Sequence, residues 1–223
     1  MIFRDREDAG QRLAEKLRFL QDQKPILVGL ARGGVPVASA AARLLGAELD
    51  TLVVRKVAPP ENREYGIGAV APEGIAYFDP EGLKHTGLDP EALRETMEEE
   101  QRELRRRVEV YRGGTPAPDV AGRLVVLMDD GLATGVTAIA AIRYVRTLGP
   151  TRVVFAVPVL SEAALHAVER EADEVVFVHL PDRFRAVGEF YEDFKEVQDD
   201  EVRTHLRMFG PHGHGSSFQP EAS

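Results

Sequence analysis

Cysteine is absent from all 223 residues. That excludes a disulfide framework, a thiolate zinc site and a cysteine nucleophile, and it suits a reducing compartment. Long apolar runs are missing as well. Nothing approaches the ~20 residues that a bilayer span requires. The opening MIFRDREDAGQRL is charged from Arg4 onward and lacks the apolar stretch of a secretory signal, so a cytoplasmic location is expected. Positive charge is in deficit: 28 Lys and Arg stand against 37 Asp and Glu, a formal net charge of −9. That disfavours a general nucleic-acid binder but leaves room for a local basic pocket. No G-x-x-x-x-G-K-[ST] occurs, and no G-x-G-x-x-G follows a strand, which excludes a Walker loop and a dinucleotide fingerprint. There is no internal repeat. What remains is ordinary globular composition, 43% hydrophobic and 29% charged, with side chain enough for a real core.

The apolar pattern alternates between two periods. Ala9, Leu13, Ala14, Leu17 and Leu20 follow helical spacing behind the acids Asp5, Glu7 and Asp8, and Lys24-Pro25 ends that helix. Ile26 to Leu30 is a short continuous apolar run, read as a strand covered on both faces. Val35 to Leu45 reads as a helix closed by Gly46, and Leu49 to Val54 as the next strand. The cycle resumes with a strand at 124–128, a helix at 136–148, a strand at 153–157, a helix at 161–171 opened by a serine cap, and a strand at 174–178. Such alternation predicts an α/β fold, a parallel sheet with helices on both faces. Residues 57–72, rich in Pro, Gly and charge, read as a long loop leading into an extended segment. Residues 89–111 form a dense charged helix with a narrow apolar stripe of Leu93, Met97, Leu104 and Val108. Its patterning fits a solvent-laced helix or, alternatively, a dimerisation arm or lid. The expected organisation is one domain over 1–209 with an insertion at about 73–118, then a flexible tail at 210–223, whose His212 and His214 are read as solvated rather than metal-binding.

Chemistry concentrates in Val125-Val126-Leu127-Met128-Asp129-Asp130-Gly131-Leu132-Ala133-Thr134-Gly135-Val136-Thr137. A buried strand ends in two acids, a small-residue loop follows, then a helix. In an open α/β sheet, ligands bind outside the carboxyl ends of the strands. The loop would place backbone N–H groups at a helix N-terminus, a cradle for an anion. Two carboxylates beside such a cradle repel a bare phosphate. They suit a ligand with hydroxyls next to its phosphate, because an ionised carboxylate only accepts hydrogen bonds. The combination predicts a sugar phosphate, with Mg²⁺ as the candidate metal at Asp129 and Asp130.

This stretch resembles the 5-phosphoribosyl-1-pyrophosphate (PRPP) motif of type I phosphoribosyltransferases: apolar residues, two acids, a short loop, then Thr-Gly-x-Thr. Gly131 departs from the aliphatic residue usual there. The resemblance implies a type I phosphoribosyltransferase core with a hood built from terminal segments. It implies that Asp129 and Asp130 hold the ribose hydroxyls and that Ala133, Thr134, Gly135, Val136 and Thr137 hold the 5′-phosphate. Leu30-Ala31-Arg32-Gly33-Gly34 is similar to the family's pyrophosphate loop, with Arg32 and Gly33 at the ligand and a non-proline cis peptide expected near Ala31-Arg32. Arg55-Lys56, expected at the end of the second strand, resembles the Arg-Lys that precedes the family's mobile loop, here 59–66. Within the hood, Phe184 or Tyr191 could stack on a base.

The reaction implied is displacement of pyrophosphate from C1 of PRPP by a base or related acceptor, Mg²⁺-dependent, in a homodimer. Asp129, Asp130, Arg55 and Lys56 would carry it. Members acting on 6-oxopurines commonly have an Asp where this chain has Ala133, and a methyl group exchanges no proton. Glu61 and Glu64 on the mobile loop are alternative bases. Two rival readings stand beside the enzyme: a non-catalytic PRPP- or nucleotide-binding regulatory protein, and a scaffold assembled through the charged helix.

Overall fold

A computed structural model of the chain describes residues 1–59, 61, 62 and 65–209. Glu64, His212, His214 and the rest of 210–223 lie outside the described residues, so the expectations placed on them stay where they were.

The N-terminal helix α1 spans Arg6–Leu17, with Asp5 capping the Asp8 amide. Strand β1 (Ile26–Ala31) is followed by α2 (Gly34–Leu45), which ends at left-handed Gly46, and by β2 (Glu48–Val53). After a break at Val54 the chain leaves this layer. It forms β3 (Arg55–Val57), β4 (Gly68–Val70) and β5 (Ala76–Phe78), then α3 (Pro80–Thr86) and α4 (Arg94–Arg112). It returns as β6 (Leu124–Met128), α5 (Val136–Thr147), β7 (Arg152–Val159), α6 (Glu162–Val168) and β8 (Glu174–His179), and closes with α7 (Asp199–Phe209).

The main sheet is five-stranded and parallel, in the order β2-β1-β6-β7-β8. Side chains alternate across it with the period of a strand. Val125, Leu127, Val153 and Phe155 face Ile139 and Ile142 of α5. Val126, Met128, Val154 and Ala156 face Leu13 and Leu17 of α1 and Val37 and Ala41 of α2. Both faces are dry, which is why these strands read as continuous apolar runs rather than alternating ones. Phe155 is fully buried, and truncating such a residue costs about 3–5 kcal/mol.

This order sets the position of a site. From β1 the chain passes to β2 on one side, and the remaining strands build outward on the other, from β6 to β8. The loops after β1 and β6 therefore depart to opposite faces and leave a crevice between them at the carboxyl edge.

Three expectations are corrected. Arg55 and Lys56 do not end the second strand: β2 stops at Val53, and they begin β3 in a separate antiparallel sheet of order β3-β4-β5. The segment read as a loop from 57 to 72 contains β4, a strand too short to show alternation. The charged helix starts at Arg94 rather than 89, because Asp89 first accepts the Ala92 amide in a turn of its own. The apolar stripe of α4 is not idle. Leu93 and Met97 pack on the small sheet, while Leu104 and Val108 pack with Val35 and Val53. Its outer face keeps local ion pairs, with Glu103 at 2.7 Å from both Arg106 and Arg107. Helix α7 had no counterpart in the sequence reading; Val202 seats it in the same cluster as Val35 and Val53.

The two termini cover the carboxyl edge together. Phe3 bridges Tyr191 in parallel, through Phe3 N to Phe190 O and Glu192 N to Phe3 O, both 2.8 Å. No helix among the described residues is long and apolar enough to cross a membrane.

Candidate active site at the carboxyl edge of the sheet

Asp129 and Asp130 follow directly on β6, behind fully buried Met128. The Asp130 amide donates to Asp129 Oδ1 at 2.9 Å. Burial raises the Asp129 carboxyl well above the ordinary carboxylate range, and the neighbouring Asp130 pushes it further. Burial also raises Asp130, against the pull of Arg6. From α1, Arg6 Nε reaches Asp130 Oδ2 at 2.7 Å while its Nη1 donates to Lys195 O at 2.7 Å. Its guanidinium lies 4.0 Å from the Phe194 ring centre. Arg6 is a site residue the sequence reading missed: among the neighbouring charges of Asp5-Arg6-Glu7-Asp8 nothing marks which one turns inward.

The loop after the acids is pinned from β7 and α6. Leu132 N donates to Val159 O and Ser161 N to Leu132 O, both 3.0 Å, and Ser161 Oγ donates to Ala133 O at 2.7 Å. The same hydroxyl accepts the Ala164 amide, capping α6. Ala133 and Thr134 are exposed, Gly135 and Val136 are buried and Thr137 is half-buried. Gly135 sits at φ +86°, a conformation that L side chains rarely adopt, and turns the chain into α5. The first α-helical bond of α5 runs from Ile139 N to Gly135 O at 2.9 Å. The amides before it lack intrahelical partners, and the positive end of the helix dipole lies there.

The loop after β1 meets this assembly at very short range. A cis peptide joins Ala31 to Arg32. A Cβ on Gly33 would lie 2.0 Å from Asp130 Oδ2, and one on Gly34 would lie 2.4 Å from Met128 O. No side chain fits at either position. These glycines bring the start of α2 against the acid pair.

The cations are placed less simply. Lys56 is exposed and near enough to the acid pair to favour both ionised carboxylates. Arg55 instead bonds Glu100 of α4, Nε to Oε2 at 2.7 Å. Arg32 bonds the Glu196 carboxylate and lies 3.7 Å from Asp199. Asp199 in turn accepts the Tyr111 hydroxyl of α4 at 2.6 Å.

The hood lies close over the acids. The Tyr191 hydroxyl donates to Asp130 O at 2.5 Å, and burial raises that phenol far above its ordinary pKa. Tyr191 is 7% exposed between Phe3 and Phe194, so its ring offers little face to a ligand. Phe184 is half-buried and stacks on Phe190, with ring centres 5.4 Å apart at 29°. A Cβ on Gly131 would sit 2.2 Å from Val187 Cγ1. That contact explains the glycine where an aliphatic residue is usual: Val187 of the hood already fills the space. Glu61 is exposed on its loop. Among the described residues no group of three or more His, Cys, Asp or Glu gathers as a metal cage.

Known proteins resemble this chain over most of its length. A family model described as phosphoribosyl transferase domain matches residues 2–195. A Mycobacterium tuberculosis protein, provisionally named a phosphoribosyl transferase, is 40% identical over 201 residues, covering 90% of this chain and 45% of its own. The chain thus spans about half the length of the curated relatives it matches. The crystal structure of a Thermus thermophilus protein is 44% identical, with TM-score 0.78, covering 94% of this chain and all of that one. A hypothetical Neisseria gonorrhoeae protein crystallised with bound ppGpp shares the fold at 12% identity and TM-score 0.50, covering 92% of this chain and 95% of its own.

Proposed function

The chain belongs to the phosphoribosyltransferase family, and from that premise we propose a transferase that displaces pyrophosphate from C1 of PRPP with a nitrogen nucleophile. One observation carries the reading: two segments meet at the carboxyl edge, the loop after β1 packing Gly33 against Asp130, and the stretch from Asp130 running on into the α5 N-terminus. The ligand has three polar ends, and candidate residues can be assigned to each. Thr134, Thr137 and the amides of 133–137 would take the 5′-phosphate. Asp129 and Asp130 would accept the ribose hydroxyls. Arg32, Arg55 and Lys56 would face the pyrophosphate, where leaving-group charge develops. In the step itself the C1–O bond to pyrophosphate would break, a C1–N bond would form on the opposite side, and the acceptor's proton would pass to solvent or to Glu61 or Glu64 of the loop. No titratable side chain stands at Ala133 to take it. Closure of the loop around 59–66 would exclude water.

Mg²⁺ fits the residues present. Burial raises both carboxyls, and Asp130 raises Asp129 further, so a cation beside them would favour the ionised pair. Mg²⁺ commonly takes one or two carboxylates and completes its shell with substrate oxygens and water. Asp129 and Asp130 would hold it directly or through water, and bound there it would neutralise phosphate charge. Homodimerisation belongs to the same proposal and is checked by sedimentation.

A second reading has its own support. Arg32 and Arg55 are both engaged by acids, as they would be in a PRPP- or nucleotide-binding regulator without turnover. Calorimetric titration of the full chain with PRPP and Mg²⁺, followed by a pyrophosphate-release screen over purine, pyrimidine and pyridine bases, separates the two. Binding with release supports the enzyme; binding without release for any base supports the regulator. No binding of PRPP rejects the enzyme and a PRPP-binding regulator alike.

A further inference from the structure

A second cavity, of about 700 Å³, lies beneath α4. That volume is in the range of small-molecule pockets. None of the residues assigned above to PRPP lines it. On β6 its lining residue is Val125, four residues before Asp129, and on β1 it is Val28, which pairs with Leu127, two residues before Asp129. Helix α4 roofs it with Leu104 and Val108, the sheet floors it with Leu52 and Val125, and Tyr144 and Val145 of α5 close one side with Leu148 just beyond.

Polar groups converge in this apolar box. Asp50 of β2 is 7% exposed and accepts Arg112 Nη2 at 2.7 Å. Arg112 also donates to Thr51 O at 3.1 Å and Pro116 O at 3.4 Å, so the guanidinium is occupied on the protein side. The carboxylate is not saturated. Two oxygens offer about four acceptor positions, and among the described residues only Arg112 and the Thr51 amide use them. Burial raises the Asp50 carboxyl, with Arg112 opposing. The Tyr144 hydroxyl, on the same wall, has no hydrogen-bond partner among the described residues. The charged lining is Asp50, Glu73 and Glu109 against Arg105 and Arg112. With three carboxylates to two guanidiniums, and one of those guanidiniums already engaged, an anion is disfavoured there.

We propose that this cavity is a second ligand site. It takes a small molecule with a bulky apolar body and N–H donors, uncharged or cationic, the donors on Asp50 and the body among Leu52, Leu104, Val108, Val125 and Leu148. The site stands apart from the transferase reading and does not depend on it. It is placed to bear on the crevice, because the helix that roofs it also holds Arg55 through Glu100 and Asp199 through Tyr111.

The test titrates the full chain with 2-aminobenzimidazole and with octylamine, in the absence and presence of saturating PRPP and Mg²⁺, with decanoate as the anionic contrast. The expected result is one-to-one binding of at least one amine, whether or not PRPP is present, and none of decanoate. Val108→Trp fills the cavity and abolishes amine binding; Asp50→Asn weakens it about tenfold or more. Circular dichroism checks that each variant folds, and Tyr144→Phe replaces Asp50→Asn should the latter not fold, with a weakening of a few-fold. The proposal is overturned by no amine binding at millimolar concentration, by binding retained in Val108→Trp, or by tighter binding of decanoate. Competition by PRPP would move the amine to the other crevice and overturn it too. So would a chain that binds no amine while Val108→Trp shifts sedimentation from dimer to monomer, since a second copy would then cover the cavity.

Discussion

The two halves of the crevice are built in different ways. The acid-and-cradle half is one contiguous stretch from Asp129 to Thr137, held by neighbours on β7 and α6 through backbone bonds. The cation half is assembled from Arg32 and from Arg55 and Lys56, and its arginines end on acids 164 and 45 residues away. A contiguous half has its geometry set by local chain direction. An assembled half has its charge state set by whichever distant side chain reaches it first. Under the proposed function the first would be preorganised, and the second would have to exchange partners before gripping an anion.

That contrast predicts its own largest effect. Replacing Asp129 and Asp130 together by Asn should weaken PRPP binding roughly a hundredfold or more, because two hydrogen bonds to charged groups are lost at about 1.5–3 kcal/mol each. The fold should survive, since the change relieves a buried pair of like charges. Unaltered affinity in the double variant would remove the acid half from the site.

Close packing gives the next effect. Gly131→Ala places a Cβ into Val187 at 2.2 Å and should destabilise by about 1–3 kcal/mol, as overpacking does. Val187→Ala in the same chain should recover most of that loss. A double-mutant cycle on denaturant midpoints checks the coupling. Additive effects would mean that the hood is not seated on this loop.

The cation half should respond in the opposite direction. Glu100→Gln frees Arg55 and should tighten PRPP binding a few-fold. Glu196→Gln should do less, since the Glu196 side chain is 70% exposed and Arg32 keeps Asp199 at 3.7 Å. Calorimetry on both variants reads the order. Weaker binding in Glu100→Gln would show that Glu100 aims Arg55 rather than withholding it.

The same division governs what the sequence disclosed. The parallel sheet was legible because each strand is apolar on both faces and each helix follows a 3.6 period. The cradle was legible because its chemistry lies in nine consecutive residues. Strands β3 to β5, at three residues each, are too short for periodicity to register. Arg6, Val187, Glu100 and Glu196 carry no local signal, since their roles exist only through partners far along the chain. Tyr191 was read as a stacking ring, whereas its hydroxyl holds Asp130 O. Gly131, the departure from the motif, is the imprint of Val187.

The smallest effect concerns how α1 aims Arg6 from the contiguous side. Burial works against ionisation of Asp8. The Arg4 amide at 3.1 Å and Arg12 at 2.9 Å outweigh it and hold the carboxyl below its ordinary range. A depressed carboxyl contributes stability that is present above the unfolded pKa, near 3.9, and lost as pH falls through the lower folded value. Asp8→Asn should therefore cost about 1 kcal/mol at neutral pH, and the gap to the parent chain should shrink in strong acid. Urea midpoints of the two chains across acid and neutral pH measure it. Arg6 leaves the same first turn two residues earlier. A loosened turn should therefore also weaken PRPP binding slightly, by less than Glu100→Gln strengthens it. An Asp8→Asn chain with a pH-independent deficit would place the contribution in packing rather than charge, and Arg6 would then be aimed by Phe194 and Lys195 instead of by the helix start.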